Sequence, residues 1–131
     1  MRISSAVCFL FVILACVSPK SRQFKNYLVG DWRIENPSMQ SFIRFEDNGK
    51  TTFYLNRYSY KLDSLAEYGD WLLKEIKKGA VRDTFVVQID KRPQQTTFQF
   101  IPIDQQRVKV IDERGQTFFT RIEKISNYRV D

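Results

Sequence analysis

The chain has 131 residues, enough for one domain and not two. It contains no histidine, which excludes Ser-His-Asp and Cys-His nucleophile activation and removes the commonest zinc and copper ligand. Lysine and arginine outnumber aspartate and glutamate by 21 to 15, and 11 Phe, 6 Tyr and 2 Trp make the chain aromatic as well as basic.

The N-terminus has the layout of an export signal. Arg2 supplies a short positive region, residues 6–15 are uncharged and apolar, and the small residue Ala15 stands at the cleavage position. Ten apolar residues make about 15 Å of helix, roughly half a bilayer, so the run is a poor stable span. Ile13-Leu14-Ala15-Cys16 resembles the lipobox of bacterial lipoproteins. The resemblance implies diacylglycerol on the Cys16 thiol, cleavage before Cys16 and acylation of the new amino terminus. Two or more acyl chains turn reversible membrane binding into stable anchoring. On that reading residues 1–15 are a lipoprotein signal peptide that carries Cys8 away with it. The mature chain then has no free thiol, disulfide or thiolate metal ligand. Val17-Ser18 follows Cys16, where an Asp commonly retains lipoproteins in the inner membrane. The resemblance therefore points to the cell envelope, lipid-anchored in an outer membrane and facing the periplasm.

Residues 16–26 are polar, carry a proline and lack periodicity, so they read as a lipid-anchored tether. Lys20, Arg22 and Lys25 have no acid among them. Each basic residue near an anionic surface adds about 1 kcal/mol of attraction, and a merely solvated linker is the equal alternative. A basic domain raises the prospect of nucleic acid, but an exported, tethered one meets little of it, so no nucleic-acid partner is expected.

From Tyr27 the chain is rich in Phe, Tyr, Val, Ile and Thr and is cut at short intervals by turn residues, the all-β pattern. The first strand, residues 28–35, puts Leu28, Gly30, Trp32 and Ile34 on one face and Asp31, Arg33 and Glu35 on the other. A second strand covers residues 40–46 with Ile43 and Phe45 inward. Asp47-Asn48-Gly49 closes a hairpin, because Asn-Gly tolerates the positive φ of tight primed turns. A third strand runs from Lys50 to about Tyr60. Residues 64–78 carry two patterns. Ser64 to Glu67 fits a capping box with Leu65, Tyr68, Leu72 and Ile76 on one helical face. Gly69 in mid-helix would cost about 1 kcal/mol, and a strand over residues 69–76 opposite residues 83–90 is preferred. The later strands cover residues 83–90 with Phe85, Val87 and Ile89 inward, 95–103 with Phe98 and Phe100, 107–112 with Val108 and Val110, and 116–123 with Phe118 and Ile122. Pro102 suggests an edge or bulge. Eight antiparallel strands in up-and-down order must manage their edges, and closure into a barrel removes them. A flattened sandwich is the rival.

Gly30 and Trp32, a Gly-x-Trp on the first strand of an eight-stranded meander, resemble the lipocalin signature, as found in short lipocalin-like domains of bacterial lipoproteins. The resemblance covers residues 27–123 and implies an eight-stranded antiparallel up-and-down lipocalin-like barrel. In lipocalins the motif's Trp packs at the closed end against an Arg of the last strand, and Arg121 is the candidate here. Strict alternation places Arg121 opposite Phe118 and Ile122, so an inward Arg121 would need a bulge. The Thr-Asp-Tyr motif of many lipocalins is absent. The expected organisation is a signal peptide at 1–15, a tether at 16–26, the barrel domain at 27–124 and a tail at 125–131. A second Gly-Asp-Trp, Gly69-Asp70-Trp71, has no place in that signature, and the differing flanks argue against an internal repeat.

Candidate chemistry is sparse. The carboxylate pairs Asp31 with Glu35, Asp70 with Glu75 and Asp112 with Glu113 read as solvated surface, where a glycosidase needs two carboxylates facing one cleft. No Gly-rich phosphate loop and no Asp-x-Asp-x-Asp cluster occurs, so neither cofactor nor metal is expected, and the chain reads as no enzyme. The leading expectation is a carrier of a small hydrophobic ligand lined by Ile43, Phe53, Phe85, Val87 and Phe98. The alternative is an envelope protein-interaction or assembly module with a filled core. The row Tyr54, Tyr58 and Tyr60, with Asn56 between, reads as packed rings with wet hydroxyls, and otherwise as a sugar- or lipid-contacting surface.

Overall fold

A computed structural model of the protein describes residues 18–35, 40–54 and 66–125. The signal, Cys16, Asn56, Tyr58, Tyr60, Ser64, Leu65 and residues 126–131 lie outside the described residues. A helix, α1 (Pro19–Leu28), precedes eight strands: β1 (Gly30–Ile34), β2 (Ser41–Phe45), β3 (Lys50–Tyr54), β4 (Ala66–Lys77), β5 (Thr84–Lys91), β6 (Gln94–Pro102), β7 (Arg107–Asp112) and β8 (Gly115–Ile122). They form one closed antiparallel barrel in sequence order, with β8 returning to β1. The preference for a strand over residues 69–76 is borne out. Trp71 pairs with Ile89, and the ladder shifts register between Leu73 and Glu75, a bulge that keeps Ile76 opposite Phe85.

The core follows from the period of two. Trp32, Ile43, Phe45, Val87, Ile89, Phe100, Val108 and Val110 point into the barrel and are almost fully buried. Outward rows carry polar side chains such as Arg33, Asp70, Thr97 and Gln99. Rings meet edge-on around Phe100, with Phe45 at 6.0 Å and Phe119 at 5.8 Å between centroids, the arrangement that ring quadrupoles favour.

Three expectations are corrected. The tether reading of residues 16–26 fails from Pro19 onward, because α1 occupies that stretch. Ser18 caps the helix by accepting from the Ser21 N–H at 3.1 Å, and Pro19 supplies the fixed φ suited to a first turn. Phe24 and Leu28, four residues apart on one face, are buried at 2 % and 0 % exposure, so the helix seals one end of the barrel. In β8 it is Phe119, and not Phe118 or Ile122, that is buried inside. The register pairs Trp32 directly with Arg121, and residues directly opposite across a ladder share a face, so Arg121 and Phe119 turn inward with no bulge. Finally, Asp31 does not face water, as described next.

Candidate functional site

The barrel has two unlike ends. At the helix end, the Trp32 indole Nε1–H donates to the Leu28 carbonyl at 2.8 Å and the ring is wholly buried. The Arg121 guanidinium lies over that ring at 4.2 Å and over Tyr27 at 5.2 Å. Such stacking contributes about 0.5–2 kcal/mol. Arg121 also donates to the Gln105 carbonyl at 2.9 Å and to the Tyr27 carbonyl, tying β8, the β6–β7 connection and α1 together. The Tyr27 hydroxyl donates to the carbonyls of Asp104 (2.8 Å) and Arg107 (3.1 Å), and burial pushes its pKa up to about 12. Phe24 stacks flat on Phe85 at 4.1 Å. A cleft of 370 Å³ runs outside this seal between α1 and the loops at residues 82–83 and 102–105.

Gly30 allows the entry into β1. It adopts φ +134°, and an added Cβ would stand 3.4 Å from the Arg121 guanidinium. Asp31, 8 % exposed, accepts from Arg44 Nε at 2.7 Å and Nη2 at 3.2 Å, and from the Ile125 backbone N–H at 3.0 Å. The chain beyond β8 thus crosses the outside of β1 and covers it, with Ile125 itself buried. The second Gly-Asp-Trp is built differently. Trp71 also enters the barrel, its Nε1–H donating to the Glu46 carbonyl at 2.9 Å, with the ring edge-on to Phe45. Asp70 pairs with Lys50 in solvent. Gly69 is required by contact: an added Cβ would come within 2.6 Å of the Asp90 carbonyl oxygen.

The other end is open. A cavity of 1120 Å³ lies between a floor containing Phe53, Phe98, Val110 and Phe119 and a rim that includes Glu67, Lys91, Gln94, Asp112 and Arg114. Lys91 Nζ sits 2.8 Å from Glu67 Oε2 and 4.4 Å from the Phe53 ring centre, an ion pair laid across an aromatic floor. On the rim's outer side Glu35 accepts from Arg107 at 3.0 and 3.1 Å and from the Thr120 hydroxyl at 2.9 Å, and these bonds hold its carboxyl below the ordinary pKa.

The five residues expected to line a ligand site are therefore split. Phe53 and Phe98 face the open cavity. Ile43 and Val87, at 0 % exposure, are packed core, and Phe85 belongs to the helix end. Glu67 and Lys91 went unnoticed in the sequence. Their signal was available: Glu67 shares the inward parity of Gly69 and Trp71, and Lys91 that of Val87 and Ile89. Among the carboxylate pairs, Asp31 and Glu35 are each bound to an arginine on the outside of the barrel, and Asp112 and Glu113 sit on the turn at the mouth. Among the described residues, no group of three or more Asp, Glu, His or Cys side chains is placed to hold a metal ion.

The fold and site together define a closed eight-stranded antiparallel barrel, plugged at one end by its own N-terminal helix and open at the other. No model of a known protein family, no curated protein and no solved structure matches the chain.

Proposed function

We propose that the protein is an exported, lipid-anchored lipocalin-like barrel that binds one small amphipathic ligand in its open end. The observation that carries this reading is the 1120 Å³ cavity between the aromatic floor and the charged rim. Ligand sites typically span about 300–1,000 Å³ and combine apolar walls with a few placed polar groups. An apolar tail would lie against Phe53, Phe98 and Phe119, with its polar head beside Lys91 and Glu67. The lipocalin likeness is supported by Gly30 and Trp32 at the start of β1 and by Arg121 over the indole. Binding is favoured over catalysis because the chain lacks histidine and its carboxylates Asp31, Glu35 and Asp70 are paired with cations. Anchoring rests on Ile13-Leu14-Ala15-Cys16, and the outer membrane on the residues that follow. A Cys16→Ser chain that stayed in the membrane fraction would refute acylation as the anchor.

Titration with a fluorescent fatty-acid analogue tests the cavity. Saturable binding is expected, with a loss of at least about tenfold in Phe98→Arg, the penalty of about 1.4 kcal/mol that an uncompensated polar group in an apolar floor readily exceeds. Phe98 is half-buried, so the variant keeps its circular dichroism spectrum. Absence of saturable binding, or unchanged affinity in both Phe98→Arg and Phe53→Arg, sinks the reading. A second reading, docking to an envelope protein, draws on Tyr68 and Leu72, which stand 70 % and 49 % exposed on the outward row of β4.

A further inference from the structure

The helix end projects well beyond the barrel wall on one side. The Trp71 N–H donates to the Gly49 carbonyl at 2.8 Å, which sets the β2–β3 turn level with Trp71. From there β4 runs six residues further to Lys77, about 20 Å at strand rise, and β5 starts its return at Thr84. The acidic turn at Glu46 and Asp47 is therefore recessed, and the β4–β5 hairpin forms the tip. That tip exposes Lys77, Lys78 and Arg82 around Val81, an aliphatic side chain 89 % exposed. The start of α1 stands beside it, because Lys20 Nζ bridges to Asp83 Oδ2 at 2.7 Å, and Arg22 is exposed in the same turn of helix. Three carboxylates share the surface with these five cations, and the third, Asp104, lines the cleft with Lys20 and Arg82 while accepting from the Gln106 and Arg107 N–H groups. Asp83 is taken up by Lys20 and the Gly79 N–H, and Glu75 lies 3.7 Å from Lys77. Ser18, the helix cap, lies at this tip, two residues along the sequence from Cys16.

We propose that the β4–β5 tip and the start of α1 form a docking face for an anionic phospholipid surface. Lys20, Arg22, Lys77, Lys78 and Arg82 meet the headgroups and Val81 enters the interface. The open cavity then points away from the membrane that holds the protein, toward the aqueous compartment. The orientation rests on the acylation of Cys16 proposed above, whereas the contact itself needs no anchor. An apolar residue ringed by cations is the chemistry an anionic interface rewards, by burial of the side chain and about fivefold in partitioning per basic residue.

The mature chain without Cys16 has no thiol, so a polarity-sensitive fluorophore on Val81→Cys reports the tip, and one on Arg114→Cys the open end. The labelled mature chain lacking Cys16, with no acyl anchor to hold it at a neutral bilayer, is mixed with vesicles of phosphatidylcholine alone or with added phosphatidylglycerol. The full chain purified from membranes is kept for flotation. The label at 81 is expected to shift blue and be quenched by spin-labelled lipid only on the anionic vesicles, and the label at 114 to stay unchanged. Neutralising Lys77, Lys78 and Arg82 to Gln should weaken docking by on the order of 100-fold. High salt should weaken it too. Equal responses at 81 and 114, or a response at 81 indifferent to lipid charge, overturn the proposal. Flotation with phosphatidylcholine vesicles reads the anchor separately. If the chain fails to float, the acylation reading falls, while the label at 81 still decides the docking face on anionic vesicles.

Discussion

The two ends of this barrel are built from the same alternating strands and yet use their inward positions in opposite ways. At the helix end the inward positions are mostly rings and aliphatic chains, with the buried Thr51 among them, and the Arg121 cation is spread over two rings and bonded to two carbonyls. At the mouth the same rows end in Glu67, Lys91, Gln94 and Thr117, which leave 1120 Å³ unfilled. A barrel of eight strands has room for side chains or for one small ligand. Here both occur along one barrel's length, so the packed core and the open cavity lie in different halves.

That division can be broken most forcefully at Trp32. Replacing this wholly buried indole with Ala should cost about 3–5 kcal/mol in urea unfolding, because it opens a cavity under α1 and strips Arg121 of its stacking partner. A loss below about 1 kcal/mol would mean that the helix end is not the stabilising half. Gly69→Ala comes next. Its Cβ would press on the Asp90 carbonyl, and the strand must shift to make room, at about 1–3 kcal/mol. The Phe98→Arg variant at the mouth should change stability less than either.

The smallest effect concerns the rim. The Glu35 carboxyl is held below its ordinary pKa by Arg107 and Thr120, so its folded value is depressed relative to the unfolded chain. Its contribution is then present above the unfolded pKa of 4.5 and is lost as the pH falls through the lower, folded value. Glu35 is partly exposed, which limits the gain to below about 1 kcal/mol. Urea midpoints measured from pH 7 down to pH 3 should converge for the wild type and Glu35→Gln at the acid end. A constant gap at every pH would assign the difference to packing.

The strands were legible because alternation of Phe, Val and Ile with polar residues survives in each of them. Even β4 could be separated from a helix, on the cost of Gly69. What escaped were features set by partners distant in the chain. In β8, Phe118 and Phe119 are adjacent rings, so parity alone leaves the inward one undecided, and only the pairing of Trp32 with Arg121 resolves it. Helix α1 shows just Phe24 and Leu28 on a polar background, and its apolar stripe means nothing without a barrel end to cover. Its cap, Ser18-Pro19, is the one local mark of the helix in the sequence. Asp31 lies on the outward face as alternation requires, but nothing local announces that Ile125 closes over it. The mouth is half legible, since Phe53 and Phe98 continue the apolar alternation, whereas Glu67 and Lys91 break it with charge at inward positions.

The bond from the Ile125 N–H to Asp31 spans 94 residues, as does that from Arg121 to Tyr27. Strand β1 therefore waits for β8 before its second edge is satisfied, and the helix waits for the arginine that pins it. A chain delivered N-terminus first must hold its opening strand half-paired until the final strand arrives. The order of synthesis and the order of completion run in opposite directions. The seam between β1 and β8 is consequently the last that the growing chain can pair, and until then β1 presents an open strand edge.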